Sequence, residues 1–478
     1  MNENSTNEIT AAVCVSVRIR GSNSISQEYA DASIKVQDDS LVITNPEDNK
    51  VQQFTFDHIF NAESSQENVF DEIGAQLLEH TVEGYNCCVF AYGISGSGKT
   101  HTIMGDKSSP GLIPRIIHEL LNLNNAAAKP LAARMSPRVS PRLPPRVTRE
   151  SPRARIQGTH MYNIIEASYY EIYSEKVRDL LADMSIANTN SIANPCRVRE
   201  HPKLGPYVEG LRVISIKTEE DIRFIVNQGN NARATAATQL NDRSSRSHAI
   251  LTIRLKQVFS DYELISNLNI VDLAGSERIS LSGAKGVVAK EATAINLSLT
   301  MLGKVISSLA DRTASPSETK LVSSRRTSAA SHIAYRDSTL TWVLRDSLGG
   351  NSRTYMIATI APNALYYREN LNTLRYAQNA KKIINSVQIN SISHASSGQM
   401  QQSITPVVSH AAADEIKELK NKIDEQVRQI TQITEELHTS KKENVELLAR
   451  FTDAKKKYTL LLHNFHSREY KDMNEIYD

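Results

Sequence analysis

Residues 93–100, GISGSGKT, have the spacing of a phosphate-binding loop: Gly93, then Gly98, Lys99 and Thr100, in the pattern G-x-x-x-x-G-K-[ST]. Glycines let the backbone curl until its N–H groups point inward at phosphate oxygens. Ile94, Ser95, Gly96 and Ser97 form the body of the loop. Lys99 supplies a charge for the β- and γ-phosphates, and the Thr100 hydroxyl is a Mg²⁺ ligand. A strand-like run, NCCVFAY, leads in and HTIMG follows, so a helix N-terminus adds its positive end to the cradle. A glycine-rich turn without ligand is the plainer reading, and the context of strand before and helix after argues against it. The loop alone does not separate ATP from GTP.

Such a loop needs partners that sense the terminal phosphate, and two stretches qualify. NDRSSRSH (241–248) clusters hydroxyls and an arginine ahead of a strand. NIVDLAGSER (269–278) is a strand ending in Asp272, followed by Gly275 and Glu277. An aspartate at a strand end suits Mg²⁺ through water, and a glycine N–H suits contact with the γ-phosphate.

The elements that must hold these groups are strands alternating with helices. LTIRLK (251–256) alternates Leu251, Ile253 and Leu255 with polar residues, as a half-buried strand does. Val13, Val15, Val17 and Ile19 face one way, and Arg18 and Arg20 the other. An α/β sheet covered on both faces is expected. The 478-residue chain is 40% hydrophobic and 23% charged, with a net charge of +2, so any basic surface must be local. Its four cysteines, Cys14, Cys87, Cys88 and Cys196, lack zinc-ligand spacing and read as reduced thiols. The first residues, MNENSTNEIT, lack signal-peptide blocks, and no apolar run reaches membrane-spanning length. The expectation is a soluble intracellular chain.

Composition divides the chain further. Residues 1–10 read as a disordered polar tail, 11–382 as one large domain and 391–413 as a flexible linker. Within the domain, 129–155 carries six prolines and eight Lys/Arg against one Glu, and reads as a disordered basic insertion. From Glu415, Ile416, Ile423, Ile430, Leu437, Asn444, Phe451, Tyr458 and Phe465 recur every seventh residue. Leu419, Ile433, Leu447, Ala454 and Leu461 fill a second seam, which Gln426 and Ser440 interrupt. A coiled coil over 414–468 is favoured over a single amphipathic helix packed on the large domain.

GISGSGKTHTIMG, NDRSSRSH and DLAGSER resemble the phosphate loop, switch I and switch II of kinesin motor domains, in that family's order. YRDSTLTWVLRDSLGGNSRT (335–354) and LNTLRYAQNAKKI (371–383) match further signatures, and the likeness spans roughly 11–390. Within the family, RVREHPKLGPYVEGL (197–211) and GNNARATAATQLNDRSSRSH (229–248) most resemble the kinesin-3 class. The fold implied is a P-loop NTPase-type motor domain, a central mixed β-sheet flanked by helices, followed by a helical coiled coil.

The resemblance implies residue roles. Arg18, Arg20 and His101 would lie against adenine, although Gly21 stands where the family has proline. Ile94 and Ser95 replace the usual Gln and Thr of the phosphate loop. Asn241, Ser244 and Ser245 would contact phosphate, Mg²⁺ or the attacking water, with Thr100 and Ser245 on the metal and Asp272 behind it. Arg246 and Glu277 would form the ion pair that closes the two switches, and Gly275 would sense the γ-phosphate. Residues 279–310 would carry a relay helix lying on the microtubule, with Asn296 at a family position and Leu297 where lysine is usual. A neck linker is expected at 383–390. Candidate microtubule contacts are Lys285, Lys290, Lys304, Lys320, Arg325, Arg326, Arg336 and Arg345. The implied protein is a microtubule-stimulated ATPase using ATP and Mg²⁺. It would be a plus-end-directed motor in the cytoplasm, on the microtubule cytoskeleton, and a homodimer through its tail, with no nucleic-acid partner and no membrane insertion. Alternatives are a microtubule depolymerase or non-motile regulator, and a GTP-dependent switch or structural microtubule-binding protein.

Overall fold

The computed structural model describes residues 9–21, 34–37, 40–125, 160–182, 196–202, 205–235, 246–277, 287–313 and 333–393, with single positions at 450, 453 and 457. The chain divides into two units, Met1–Ala395 and Ser396–Asp478.

The first unit's strands run β1 (Ile9–Ala12), β2 (Cys14–Ile19), β3 (Ile34–Gln37), β4 (Ser40–Thr44), β5 (Val51–Thr55), β6 (His58–Phe60) and β7 (Cys87–Tyr92). Next come β8 (His160–Tyr173), β9 (Lys176–Asp179), β10 (Arg197–His201), β11 (Gly205–Glu209) and β12 (Ile214–Ser215). The series ends with β13 (His248–Phe259), β14 (Tyr262–Asp272), β15 (Arg353–Ile360), β16 (Ile384–Val387) and β17 (Ser391–Ser393). The helices used below are α1 (Gln66–Val69), α2 (Ala75–Val82), α3 (Lys99–Ile103), α4 (Leu112–Asn125), α5 (Glu219–Thr235), α6 (Val287–Thr313), α7 (Thr339–Val343) and α8 (Tyr367–Ala380).

The main sheet has the order β12-β8-β13-β14-β7-β15-β2-β6. The β8–β13–β14 half is antiparallel, and β14, β7, β15, β2 and β6 pair in parallel. β7 lies inside the parallel half with every residue buried. Its run CCVFAY is apolar throughout because both of its faces are covered. One core cluster packs α2, α4 and α5 against one face; α4 contributes Leu112, Ile113, Ile116, Ile117 and Leu120 as one stripe. The other cluster packs Leu302, Val305 and Ile306 of α6 and Leu374 and Ala377 of α8 against the opposite face. Leu251, Ile253 and Leu255 are buried as the alternation of LTIRLK requires. In β2 the inward valines are joined in burial by Ser16 and Arg18, because helices cover that face too.

Two boundaries differ from the sequence reading. Ile9 and Thr10, read as tail, form strand β1 and pair with Val387 and Ser386 of β16. Ser391–Ser393, read as linker, add to β14 opposite Leu264, Glu263 and Tyr262. Composition misses both because a short exposed strand is held by backbone hydrogen bonds, which side-chain polarity does not report. The insertion 129–155 lies outside the described residues. So does the heptad region apart from Arg450, Asp453 and Lys457, which are helical, with Lys457 Nζ 3.1 Å from Asp453 one turn back.

Candidate nucleotide site

The phosphate loop leaves the C-terminal end of β7 between β14 and β15, where open α/β sheets place their ligands. Gly93, Gly96 and Gly98 have φ of 156°, 75° and 104°. The 75° and 104° values belong to the left-handed region, which glycine reaches without strain. Gly93 is closed in as well: a side chain there would run into the Thr359 carbonyl and hydroxyl. Ser97 braces the loop from inside, its hydroxyl donating to the Ile94 carbonyl at 2.7 Å and lying 2.6 Å from Thr359 Oγ1. Ile94 is buried where the family has glutamine, and so anchors the loop by packing.

Lys99 is buried, and its Nζ donates to the Gly93 and Ile94 carbonyls at 2.9 Å each. Burial lowers its pKa, with Asp272 and Glu277 opposing. Register brings Asp272, the last residue of β14, beside Ala91 of β7. Its Oδ2 accepts from the Thr100 hydroxyl at 2.7 Å and lies 3.5 Å from Arg233 on α5, both side chains 6% exposed. Asp272 Oδ1 is buried with no hydrogen-bond partner among the described residues. A hydroxyl and a carboxylate with a spare oxygen fit a hard cation such as Mg²⁺, whose remaining ligands are phosphate and water.

The residues after β14 lie against the phosphate loop. Glu277 accepts from the Ser95 amide at 2.8 Å and from the Ser95 hydroxyl. Both of these hydrogen bonds draw the Glu277 carboxylate to the phosphate loop. Gly275 is packed so tightly that a side chain there would run into Ser95 and Glu277. Ser276 N donates to the Gly93 carbonyl at 3.0 Å. Arg246 stands half-buried just ahead of β13. Asn241, Ser244 and Ser245 lie outside the described residues.

On the far wall, Arg18, Arg20 and His101 line the same cleft as the phosphate loop, a cavity of about 590 Å³. Arg18 does not lie loose against it: its guanidinium donates to Gln66 Oε1 at 2.7 Å, Thr102 Oγ1 at 3.0 Å and the Ser64 carbonyl at 3.4 Å. Arg20 donates to the Gly96 carbonyl. Burial lowers the His101 pKa, and Arg18 pushes it the same way.

Four functional residues escaped the sequence reading. Gln66 sits far from any motif, and Arg233 lies in the 229–248 stretch without having been given a role. His248 is fully buried, receives the Ala274 N–H on Nδ1 at 3.1 Å and faces Ser298 Oγ of α6 at 2.9 Å. It therefore ties Ala274, just after β14, to α6. Its place at the end of NDRSSRSH was visible, but not its direction. Asn390 fixes the segment after α8: its N–H and Nδ2 donate to the Gly84 carbonyl at 2.9 and 3.2 Å, and Asn351 donates to its Oδ1 at 3.0 Å.

Of the expected track contacts, Lys304 is exposed on α6, near the exposed Leu297. Arg336 and Arg345 both pair with Glu200 of β10, Arg336 remaining exposed and Arg345 half-buried. Arg336 also lies 5.5 Å over the ring of Trp342. Lys285, Lys320, Arg325 and Arg326 lie outside the described residues, as does the side chain of Lys290 on α6.

The model of the kinesin motor domain matches residues 8–383. The chain belongs to this family. It is 39% identical over 392 residues to kinesin-like protein KIF1A of Rattus norvegicus, covering 78% of this chain and 21% of that one. It is 41% identical over 402 residues to kinesin-like protein KIF16B of Mus musculus, covering 80% and 28%. These relatives agree with the kinesin-3 resemblance, and the chain spans only 21% and 28% of their length. Among solved structures, a KIF14 dimer in a two-heads-bound state, with AMP-PNP and in complex with a microtubule, is similar at TM-score 0.64 and 35% identity. The likeness covers 80% of this kinesin and 97% of that chain. A second neighbour, described as a fast kinesin, has TM-score 0.63 and 31% identity, covering 83% and 98%.

Proposed function

We propose that this kinesin is a microtubule-stimulated ATPase that couples ATP hydrolysis to plus-end-directed movement, acting in the cytoplasm as a dimer. The observation that supports it most is the segment Gly275–Glu277. It touches the phosphate loop through Ser95 and Gly93, and the chain then runs on toward α6, whose Ser298 meets His248. A change at the terminal phosphate therefore has a short covalent and hydrogen-bonded path to the helix proposed to lie on the track.

When nucleotide enters, Lys99 exchanges two backbone carbonyls for phosphate oxygens. Glu277 must leave the Ser95 N–H, which belongs to the phosphate cradle, and Arg246 becomes its partner. That closure holds the attacking water in line, and alignment with charge stabilisation supplies most of the rate, since phosphoryl transfer has a loose transition state. Thr100 and Ser245, with Asp272 behind them, would hold Mg²⁺, which would supply neutralisation of the developing phosphate charge. After phosphate leaves, Glu277 returns to Ser95 and the helix path relaxes.

The docked state of 384–393, paired on β1 and β14, favours a directional motor over a depolymerase or a static track binder. Gliding of polarity-marked microtubules over surface-attached protein tests this. Minus-end-leading gliding in ATP is expected. Filament shortening would favour the depolymerase, and tethered, immobile filaments the regulator. Equal turnover of GTP and ATP with no microtubule stimulation would favour the nucleotide-dependent switch.

A further inference from the structure

Among the described residues, the partners of the buried cation Arg18 carry no charge. Only 8% of it is exposed, and its three acceptors are an amide oxygen, a hydroxyl and a backbone carbonyl. Buried charges are ordinarily paired with an opposite charge. A guanidinium cannot escape by losing its proton. Burial lowers the Arg18 pKa with no carboxylate offsetting it. The missing counter-charge is to be sought where Arg18 faces, on the wall of the cleft that also holds Lys99 and His101.

Gln66 is what keeps the arrangement neutral. It opens α1 behind the capping residue Ser65, and is 3% exposed. It does not line the cleft itself. Its Oε1 accepts from Arg18 at 2.7 Å, and its Nε2 donates to the His101 carbonyl at 2.5 Å. The amide's orientation is fixed by these partners, since only the oxygen end can face a guanidinium and only the NH₂ end a carbonyl. Glutamate at this position would satisfy Arg18 more fully, but would cancel its field and leave the His101 carbonyl without its donor.

We propose that Gln66 is a positioning residue of the nucleotide site: it clamps Arg18 to the His101 segment without neutralising Arg18, so that the positive charge on this wall of the cleft stays available to an entering anionic nucleotide. This rests on reading the cleft as the ATP site.

The test compares Gln66→Glu and Gln66→Met with the parent protein. It measures the Kd for ADP, KM and kcat for ATP, and the thermal midpoint, with Lys99→Ala as a reference. Gln66→Glu is expected to keep or raise the midpoint through the new ion pair, yet to weaken ADP and raise KM by about tenfold, the low end for a hydrogen bond to a charged group. Its kcat at saturation should stay within about twofold, the signature of lost uniform binding. Gln66→Met should weaken nucleotide similarly while lowering the midpoint. A Gln66→Glu protein that is stable and binds ADP as tightly as the parent overturns the proposal. If that variant does not fold, unchanged ADP affinity in Gln66→Met overturns it instead. If Lys99→Ala leaves ADP affinity intact, the cleft is not the nucleotide site. If Lys99→Ala loses binding and Gln66→Glu does not, only the positioning role fails.

Discussion

Lys99 and Glu277 each have two sets of partners to choose between, and the chemistry lies in the exchange. Lys99→Ala removes the charge that moves from the Gly93 and Ile94 carbonyls to the phosphates. Turnover should fall by at least about a hundredfold, as for loss of one preorganised charge-stabilising donor; near-normal microtubule-stimulated ATPase would remove Lys99 from the site. Glu277→Ala frees Ser95 and should bind ATP at least as well, while hydrolysis drops by about a hundredfold because the closed state has lost its partner for Arg246. A double-mutant cycle with Arg246→Ala checks this: purely additive effects would contradict closure through that pair. His248 offers a pH test. Burial pushes its pKa down to about 3, so the folded state holds it neutral while the unfolded chain protonates near 6.5. Its contribution is fully present above about pH 6.5 and is lost as pH falls toward 3, at up to about 1.4 kcal/mol per pH unit. Chemical denaturation at stepped pH should therefore show a gentler acid slope in His248→Gln than in the parent. The phosphate loop was legible at this scale because its glycines and Lys99 are fixed by a local geometry that any such loop must share. The Arg18 clamp was not, because Gln66 and Arg18 are 48 residues apart and meet only through the sheet.

At the scale of elements, the segment after α8 behaves as removable structure. β16 leans on four residues of β1, and β17 on the end of β14, with Asn390 fastened to Gly84 between them. Asn390→Ala should raise amide exchange at Gln388–Ser393 by about tenfold, the worth of a hydrogen bond or so. Gliding should slow while basal ATPase stays within about twofold. Unchanged gliding and exchange would mean that backbone pairing alone holds the segment. The basic insertion at 129–155 is a different kind of element, read from composition alone. Its arginines at 134, 138, 142, 146, 149, 153 and 155 favour an electrostatic tether to an acidic partner. Deleting it should leave basal ATPase intact and raise the microtubule concentration for half-maximal stimulation at low salt, the gap closing as salt is added. No change at any ionic strength would reduce it to a passive loop. Ser136, Ser140 and Ser151 each precede proline, and phosphorylation there would cancel much of the local field.

For the molecule as a whole, the heptads of 414–468 predict concentration-dependent dimers, and removal of that tail should leave a monomer with an active ATPase and shorter runs. Sedimentation of the full chain checks this; a monomer at tens of micromolar, roughly the upper useful range for a weak coiled coil, would contradict it. The α/β class could be read from alternating periodicities, since buried parallel strands such as CCVFAY announce themselves by being apolar throughout. The terminal strands could not, because Ile9–Ala12 and Ser391–Ser393 are mostly exposed and gain their order from partners far along the chain. One further property follows from Trp342. It is the chain's single tryptophan, half-buried, with Arg336 over its ring and its indole N–H buried without a hydrogen-bond partner among the described residues. In isolated protein all indole emission thus originates from one spot beside the Glu200 arginines. The wild-type chain carries its own fluorescent reporter, and rearrangement of that face upon nucleotide exchange is open to stopped-flow detection without a label.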